Sequence, residues 1–279
     1  MTAETTWLPV EGDLQTILES HPRPFEELLS GDVPAFIMRR AYDPDHAAAL
    51  VQRFYDCGLL FDPRAREEEI SRVDIGTSMG HRGADREAFF AHAQHTHELF
   101  ESLFDGYDDP VEYVYKTISA LGVDKKAVVA HEPDGRCYGP AIFRTYYEGR
   151  GHFPHTDILE QDRLKGGHRA TYDIVRFERQ LSAVLCFQPA ELDEERGQTF
   201  VYRKRWDPDM PEGWNRTFAE YADDAGIERV CIQLEAGDFY VFSSEFVHSV
   251  PFVRGETPRI VLAAFFGWSL DEEEMFVWS

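Results

Sequence analysis

Apolar positions along this chain change their spacing near residue 121. Before it they recur every three or four residues, the period of a helix with one buried face. Leu14, Ile17 and Leu18 share one face and Phe25, Leu28 and Leu29 another, with Pro22 and Pro24 between them, which predicts one or two short helices over 13–30. A strand is expected over Val33–Arg40. Asp43-Pro44 then supplies an N-cap and a first helical residue, Leu50, Val51, Phe54 and Tyr55 a stripe, and Gly58 a terminator. A charged, glycine-containing stretch from Asp62 to Arg86 has no period and reads as a long loop. Further helices are expected from Asp85 to Phe104, with Phe89, Ala93, Phe100, Leu103 and Phe104 on one face, and from Asp109-Pro110 through Leu121.

Beyond Leu121 the pattern shortens to strand-like runs bounded by Gly, Pro, Asp or Asn: 127–131, 141–147, 181–188, 198–203, 229–234, 238–243, 247–253 and 258–268. Many short strands preceded by helices predict a mainly β fold with added helices, a jelly-roll core carrying a helical layer. The expectation is one domain over 1–279: a helical part with an outer strand to 126, the core over 127–268, an insert at 158–180 and a C-terminal tail at 269–279.

Charge narrows the partners. The 279 residues carry 28 Lys and Arg against 51 Asp and Glu, a formal net charge of −23. That balance disfavours a nucleic-acid backbone and an anionic membrane surface, both of which recruit clustered cations. Cys57, Cys137, Cys186 and Cys231 form no C-x-x-C pair and are expected as reduced thiols. The first residues lack a basic region and an apolar core, so a cytoplasmic location is expected; a homodimer is compatible with the sequence.

The chemistry is carried by His155-Thr156-Asp157 and, far along the chain, His248. Residues two apart on an extended strand point the same way, so one imidazole and one carboxylate can reach a single cation, with His248 the third ligand. Two imidazoles and a carboxylate on one face of a metal form the facial triad of non-haem Fe(II) oxygenases. His92, His95 and His97 lie in a predicted helix with no carboxylate partner and are read as structural. If Arg254–Thr257 is a four-residue turn joining two strands, His248 faces Ala263 and Arg259 shares its face about 13 Å away, a span for a dicarboxylate held by metal at one end and guanidinium at the other. Arg254 falls in the turn and is read as a solvated charge.

His155-x-Asp157, then His248, then Arg259 after ten residues resembles the Fe(II)/2-oxoglutarate-dependent oxygenases, as do Tyr147-Glu148-Gly149, Gly197-Gln198-Thr199-Phe200 and Gly237-Asp238-Phe239-Tyr240-Val241-Phe242. The resemblance implies a double-stranded β-helix (jelly-roll, cupin-like) core. It implies Fe(II) held by His155, Asp157 and His248, 2-oxoglutarate and O2 as cosubstrates, and Arg259 on the distal carboxylate. The family's usual hydroxyl two residues after the arginine is here Val261, so Tyr146 or Thr199 is the candidate replacement. More narrowly, the chain is similar to bacterial hydroxylases of free or N-substituted L-amino acids and to related small-molecule halogenases. In the halogenases Gly or Ala replaces the carboxylate and opens a halide position; Asp157 therefore implies hydroxylation of a C–H bond, with release of succinate and CO2.

The insert 158–180 is basic within an acidic protein and reads as a lid over the site. Arg163 within it, and Arg82 from the preceding long loop, are the candidates for an anionic substrate group. His152 is read as a pocket-rim residue. Two alternatives stand beside amino acid hydroxylation: oxidative tailoring of a larger scaffold by hydroxylation, desaturation or cyclisation, and a non-catalytic jelly-roll binding protein.

Overall fold

The computed structural model describes residues 6–61, 72–165, 167–190, 199–207, 209–210 and 213–279. Asp62–Ser71, Gly166, Gly197 and Gln198, which carried parts of the loop, insert and strand expectations, lie outside the described residues. In chain order, β1 (Val10–Glu11), α1 (Leu14–Ser20), α2 (Pro24–Ser30), β2 (Phe36–Met38) and α3 (Pro44–Asp56) open the fold. There follow β3 (Arg72–Gly76), α4 (Met79–Arg82), α5 (Arg86–Leu103), α6 (Pro110–Leu121), β4 (Lys126–Val129), β5 (Ile142–Tyr146) and β6 (His152–His155). The insert forms α7 (Leu159–Lys165) and two 3-10 turns, His168–Thr171 and Asp173–Arg176. The chain closes with β7 (Arg179–Gln188), β8 (Thr199–Arg205), α8 (Phe218–Asp224), β9 (Arg229–Ile232), β10 (Phe239–Phe242), β11 (Phe246–Val250), β12 (Arg259–Trp268) and β13 (Glu274–Trp278).

The helix starts follow local chemistry. Asp43 accepts the Asp45 N–H, Asp85 that of Ala88, and Asp109 those of Val111 and Glu112. Each carboxylate satisfies donors the first helical turn leaves open. Gly58 takes φ +69°, the left-handed terminator that the sequence predicts.

Two sheets face each other in a double-stranded β-helix. The larger has the order β1-β2-β10-β7-β12-β13-β4, with β5 added to β12 and β3 to β5; the smaller is β6-β11-β8-β9. Alternation decides which face each residue serves. Phe239, Val241, Leu181, Ala183, Leu185, Ile260 and Leu262 join α1, α2, α3, α5 and α6 in the main core. Tyr240, Phe242, Val184, Cys186 and Val261 point the other way and meet Val201, Val230, Ile232 and Phe246 of the small sheet.

Three expectations are corrected. The stretch 62–86 contains β3 and α4; β3 is charged because Arg72 and Asp74 pair with each other and line polar cavities, which hid its alternation. Residues 269–279 are no tail: β13 pairs with β12 and, in parallel, with β4, burying Met275, Phe276, Val277 and Trp278. Third, β11 and β12 are not a hairpin. Residues 251–258 cross between the sheets, so His248 pairs with His155 and Val201, and Ala263 with Ile142 and Val184.

Gly237 and Asp238 fasten the larger sheet to the helices. Gly237 has φ +87°, and a Cβ there would lie 2.3 Å from the Tyr42 carbonyl oxygen. Asp238 is fully buried and accepts the backbone N–H groups of Arg40 and Glu235, each at 2.8 Å, and Arg39 Nη1 at 2.7 Å.

Candidate active site

His155 ends β6 and His248 lies in β11, its direct antiparallel partner. Opposed residues of such a pair project to the same face, and the ring centroids stand 4.1 Å apart. Asp157 follows β6 and is held by the turn that leads into β11: its N–H donates to the Ser244 carbonyl at 3.0 Å, and Ser244 Oγ donates to its carbonyl at 3.0 Å. Asp157 Oδ2 thereby reaches 3.5 Å from His155 Nε2 and 3.4 Å from His248 Nε2. The three ligand atoms lie within 4.8 Å of one another, the one such group among the described residues.

The proton inventory fits a cation at their centre. His155 Nδ1 lies 2.8 Å from the Phe153 carbonyl oxygen and His248 Nδ1 lies 2.9 Å from that of Phe246. A carbonyl only accepts, so each Nδ1 carries the hydrogen and each Nε2 presents a lone pair. Both lone pairs face a carboxylate oxygen, an arrangement of acceptors that a metal ion satisfies. Burial pushes the Asp157 carboxyl up, but the two imidazoles overcome it and hold it well below the usual carboxylate range. Burial and the neighbouring His155 lower His248. His152, with its ring 3.7 Å from that of His155, is pushed down to about 4, chiefly by burial.

Arg259 is 3 % exposed and comes from the opposite sheet. Its Nη2 donates to Thr199 Oγ1 at 3.5 Å, and its guanidinium carbon sits 5.7 Å from the ring centroid of Tyr146, its cross-strand partner. Thr199 Oγ1 also lies 2.8 Å from the Tyr240 hydroxyl. No carboxylate of the described residues pairs with this buried guanidinium, which suits an incoming dicarboxylate. The triad, Arg259, Tyr146, Thr199 and Tyr240 line one cavity. A wider one lies outside it and shares His152, His155, Asp157 and Arg144.

The structure thus brings together His155, Asp157, His248, Arg259, Tyr146 and Thr199, and leaves Arg254 exposed. Arg163 and Arg82 do not join them. Arg163 is exposed and donates to the Val175 and Phe177 carbonyls at 2.7 Å each, bracing the insert on itself. Arg82 lines a separate cavity beside His92 and His95. From the same insert, Arg169 lines the outer cavity instead. His92 Nδ1 lies 2.8 Å from Thr77 Oγ1 and His97 Nε2 2.9 Å from the Tyr138 carbonyl oxygen, in keeping with structural roles.

Sequence reasoning missed Tyr240 and Arg144. Their signal was parity: Tyr240 is two residues from Phe242 and Arg144 two from Tyr146, and a charge inside an apolar strand calls for a reason.

A family model described as "Carrier-protein-independent halogenase WelO5" matches residues 7–279. The chain belongs to this family. As a WelO5-family member it is an Fe(II)/2-oxoglutarate enzyme, with those two groups as its cofactors. Among solved structures, it is similar to an N-substituted L-amino acid dioxygenase from Burkholderia ambifaria, at 16 % identity and TM-score 0.54, over 91 % of this chain and 90 % of that one. The same dioxygenase in complex with alpha-ketoglutarate matches at 15 % identity and TM-score 0.52, over 91 % and 90 %. At such identities the likeness concerns the fold. No curated protein matches the chain. No helix among the described residues is long and apolar enough to cross a membrane.

Proposed function

We propose that this protein is a hydroxylase that inserts oxygen into a C–H bond of a small molecule, a free or N-substituted amino acid. Asp157 carries the reading. Halogenation, the activity in the family's description, needs a halide position beside the two histidines. Here the carboxylate oxygen fills that direction, at 3.5 and 3.4 Å from their Nε2 atoms.

His155, Asp157 and His248 would hold the iron, and Arg259, with Thr199, Tyr240 and Tyr146 around it, the distal carboxylate of 2-oxoglutarate. With O2 as the oxidant, iron and 2-oxoglutarate held there would supply the chemistry that breaks a substrate C–H bond, one oxygen atom going to the substrate and the other to succinate as CO2 leaves. The protein's own part is placement. The Phe153 and Phe246 carbonyls fix the imidazole tautomers, and Ser244 fixes the Asp157 backbone. Arg259 presents a planar fork to a carboxylate. Phe242, Val184 and Val261 keep the inner cavity apolar between its two polar ends, which limits water.

Anaerobic loading with Fe(II) and 2-oxoglutarate, followed by air and a panel of free and N-acylated amino acids, tests the proposal. The expected result is succinate formation that rises with one class of compound and a product heavier by one oxygen. A halogenated product in chloride buffer, or a product lighter by two hydrogens, would replace hydroxylation with another outcome. Stimulation by none of the panel would remove the amino acid assignment.

A further inference from the structure

The inner cavity contains a second guanidinium that the proposed chemistry leaves unused. Arg144 lies mid-way along β5 with Asp74 of β3 and Val261 of β12 as its cross-strand partners. It lines both the inner and the outer cavity. Its Nε is buried with no hydrogen-bond partner, and it makes no ion pair with the described residues. Asp74 Oδ2 is engaged elsewhere, 2.7 Å from Arg72 Nη2 and 3.4 Å from His81 Nδ1, and its Oδ1 is buried with no hydrogen-bond partner. Arg144's nearest aromatic support is Phe265, whose ring centroid stands 5.9 Å from the guanidinium carbon.

The other cations around the outer cavity are engaged. Arg72 is paired with Asp74, and Arg169 lies 3.8 Å from Asp162. Arg144 is half-buried, its Nε shut from water without a partner, and the cavity is where an anion can reach the rest of its guanidinium. Parity sets the distance: Arg144 is two residues from Tyr146, the partner of Arg259, and so about 7 Å along the sheet from the Arg259 end. With Arg259 on the distal carboxylate of 2-oxoglutarate, the anions left for Arg144 are that molecule's carboxylate at the metal end and one brought by the substrate, and the opening of Arg144 to the outer cavity favours the second. Ile174, Phe265 and Trp278 line the outer cavity and offer an apolar body somewhere to rest.

The geometry points to Arg144 as the group that receives the carboxylate of the substrate, which is then a small carboxylic acid with an apolar body. This rests on the assignment of the triad and Arg259 made above. Arg144 takes the place that sequence reasoning gave to Arg163 and Arg82. Fixing the carboxylate there, by a charge-assisted fork, orients the rest of the molecule toward His155 and Asp157.

Three measurements on Arg144→Met and Arg144→Lys test it without turnover. The first is the thermal midpoint of the ligand-free protein, expected to rise in Arg144→Met because an unpaired charge is replaced by an apolar side chain of similar length. A fall would mean that attraction to Asp74 holds the strands, and the inference would be withdrawn. The second is calorimetric titration of the Ni(II)-loaded protein with 2-oxoglutarate, expected to change by less than about threefold. A large loss there would assign Arg144 to the cosubstrate's own carboxylates. The third titrates the Ni(II)/2-oxoglutarate complex with N-acetyl-L-leucine, N-acetyl-L-phenylalanine and 3-phenylpropionate, each beside its carboxamide.

Wild type should bind at least one acid about tenfold or more tightly than its amide. Arg144→Met should level the pair, and Arg144→Lys should restore part of the difference. No preference for any acid in wild type, or a preference surviving in Arg144→Met, overturns the inference. Because binding is read without oxygen, these outcomes are separate from failure of the hydroxylation assay.

Discussion

A glycine at position 157 would leave two Nε2 lone pairs facing one another with no carboxylate 3.5 and 3.4 Å away. Asp157→Gly is therefore expected to lower substrate-driven succinate formation by about a hundredfold or more in halide-free buffer, the order of effect for a lost metal ligand or its support. Full activity without halide would take the aspartate out of the ligand set. Arg259 admits a sharper comparison, because it is buried and, among the described residues, bonds to the hydroxyl of Thr199 and to no carboxylate. Arg259→Lys keeps the charge but loses the fork, and should raise KM for 2-oxoglutarate by about tenfold. Arg259→Met should raise it by about a hundredfold, with hydrogen bonds to charged groups contributing about 1.5–3 kcal/mol. Equal effects of the two variants would show that charge alone, and not the fork, is used. Val261 stands where the resemblance expects a hydroxyl; the hydroxyl that meets Arg259 in this structure is that of Thr199, from the opposite sheet and itself bonded to Tyr240.

At the scale of elements, the site is assembled by joints between strands. His155 and His248 meet because β6 and β11 are neighbours, and Asp157 is set by Ser244 in the turn before β11. Gly237 performs the comparable task on the other sheet, allowing β10 to begin against the Tyr42 carbonyl. Gly237→Ala combines a φ of +87° with a Cβ at 2.3 Å from that oxygen, so backbone must move. The expected loss is about 2–4 kcal/mol in chemical denaturation, more than a strained turn alone. A change under about 0.5 kcal/mol would show that the β2–α3 connection can relax at will. The insert behaves as a packed element: Tyr172, Ile174 and Phe177 are buried with Phe89, Phe90, Tyr138 and Phe276, which anchors it over the outer cavity.

For the whole molecule, the clusters that hold the two sheets together do not include the triad. The metal should thus add stability to a fold that already stands. Excess Ni(II) at about a hundred times its Kd contributes about 2.7 kcal/mol, which for a chain of this size is a rise of roughly 5 °C in thermal midpoint. 2-Oxoglutarate should add a further rise only when metal is present. An equal rise with 2-oxoglutarate alone would mean that it binds without the metal.

Much of this was legible in the chain. Helix starts at Asp43, Asp85 and Asp109 are local events, decided by a side chain bonding to its own next turn, and so were readable. The triad and Arg259 were readable because each is a chemically distinctive residue in an ordered series. What eluded the sequence depended on neighbours distant in the chain. β3 and β13 are strands because β5, β12 and β4 offer them edges, and their own patterns are too short or too charged to announce it. The placing of His248 and Arg259 on opposite sheets likewise turned on whether 251–258 folds back or crosses over, and no local preference distinguishes the two. By itself, then, the sequence determined which residue types were available for iron, dicarboxylate and helix caps, since these follow from side-chain chemistry and short-range spacing. Only the tertiary structure decided that Arg163 braces the insert, that Arg82 faces another cavity and that Arg144 lines the site with no carboxylate partner among the described residues, because a cation's role depends on which partners packing brings within reach.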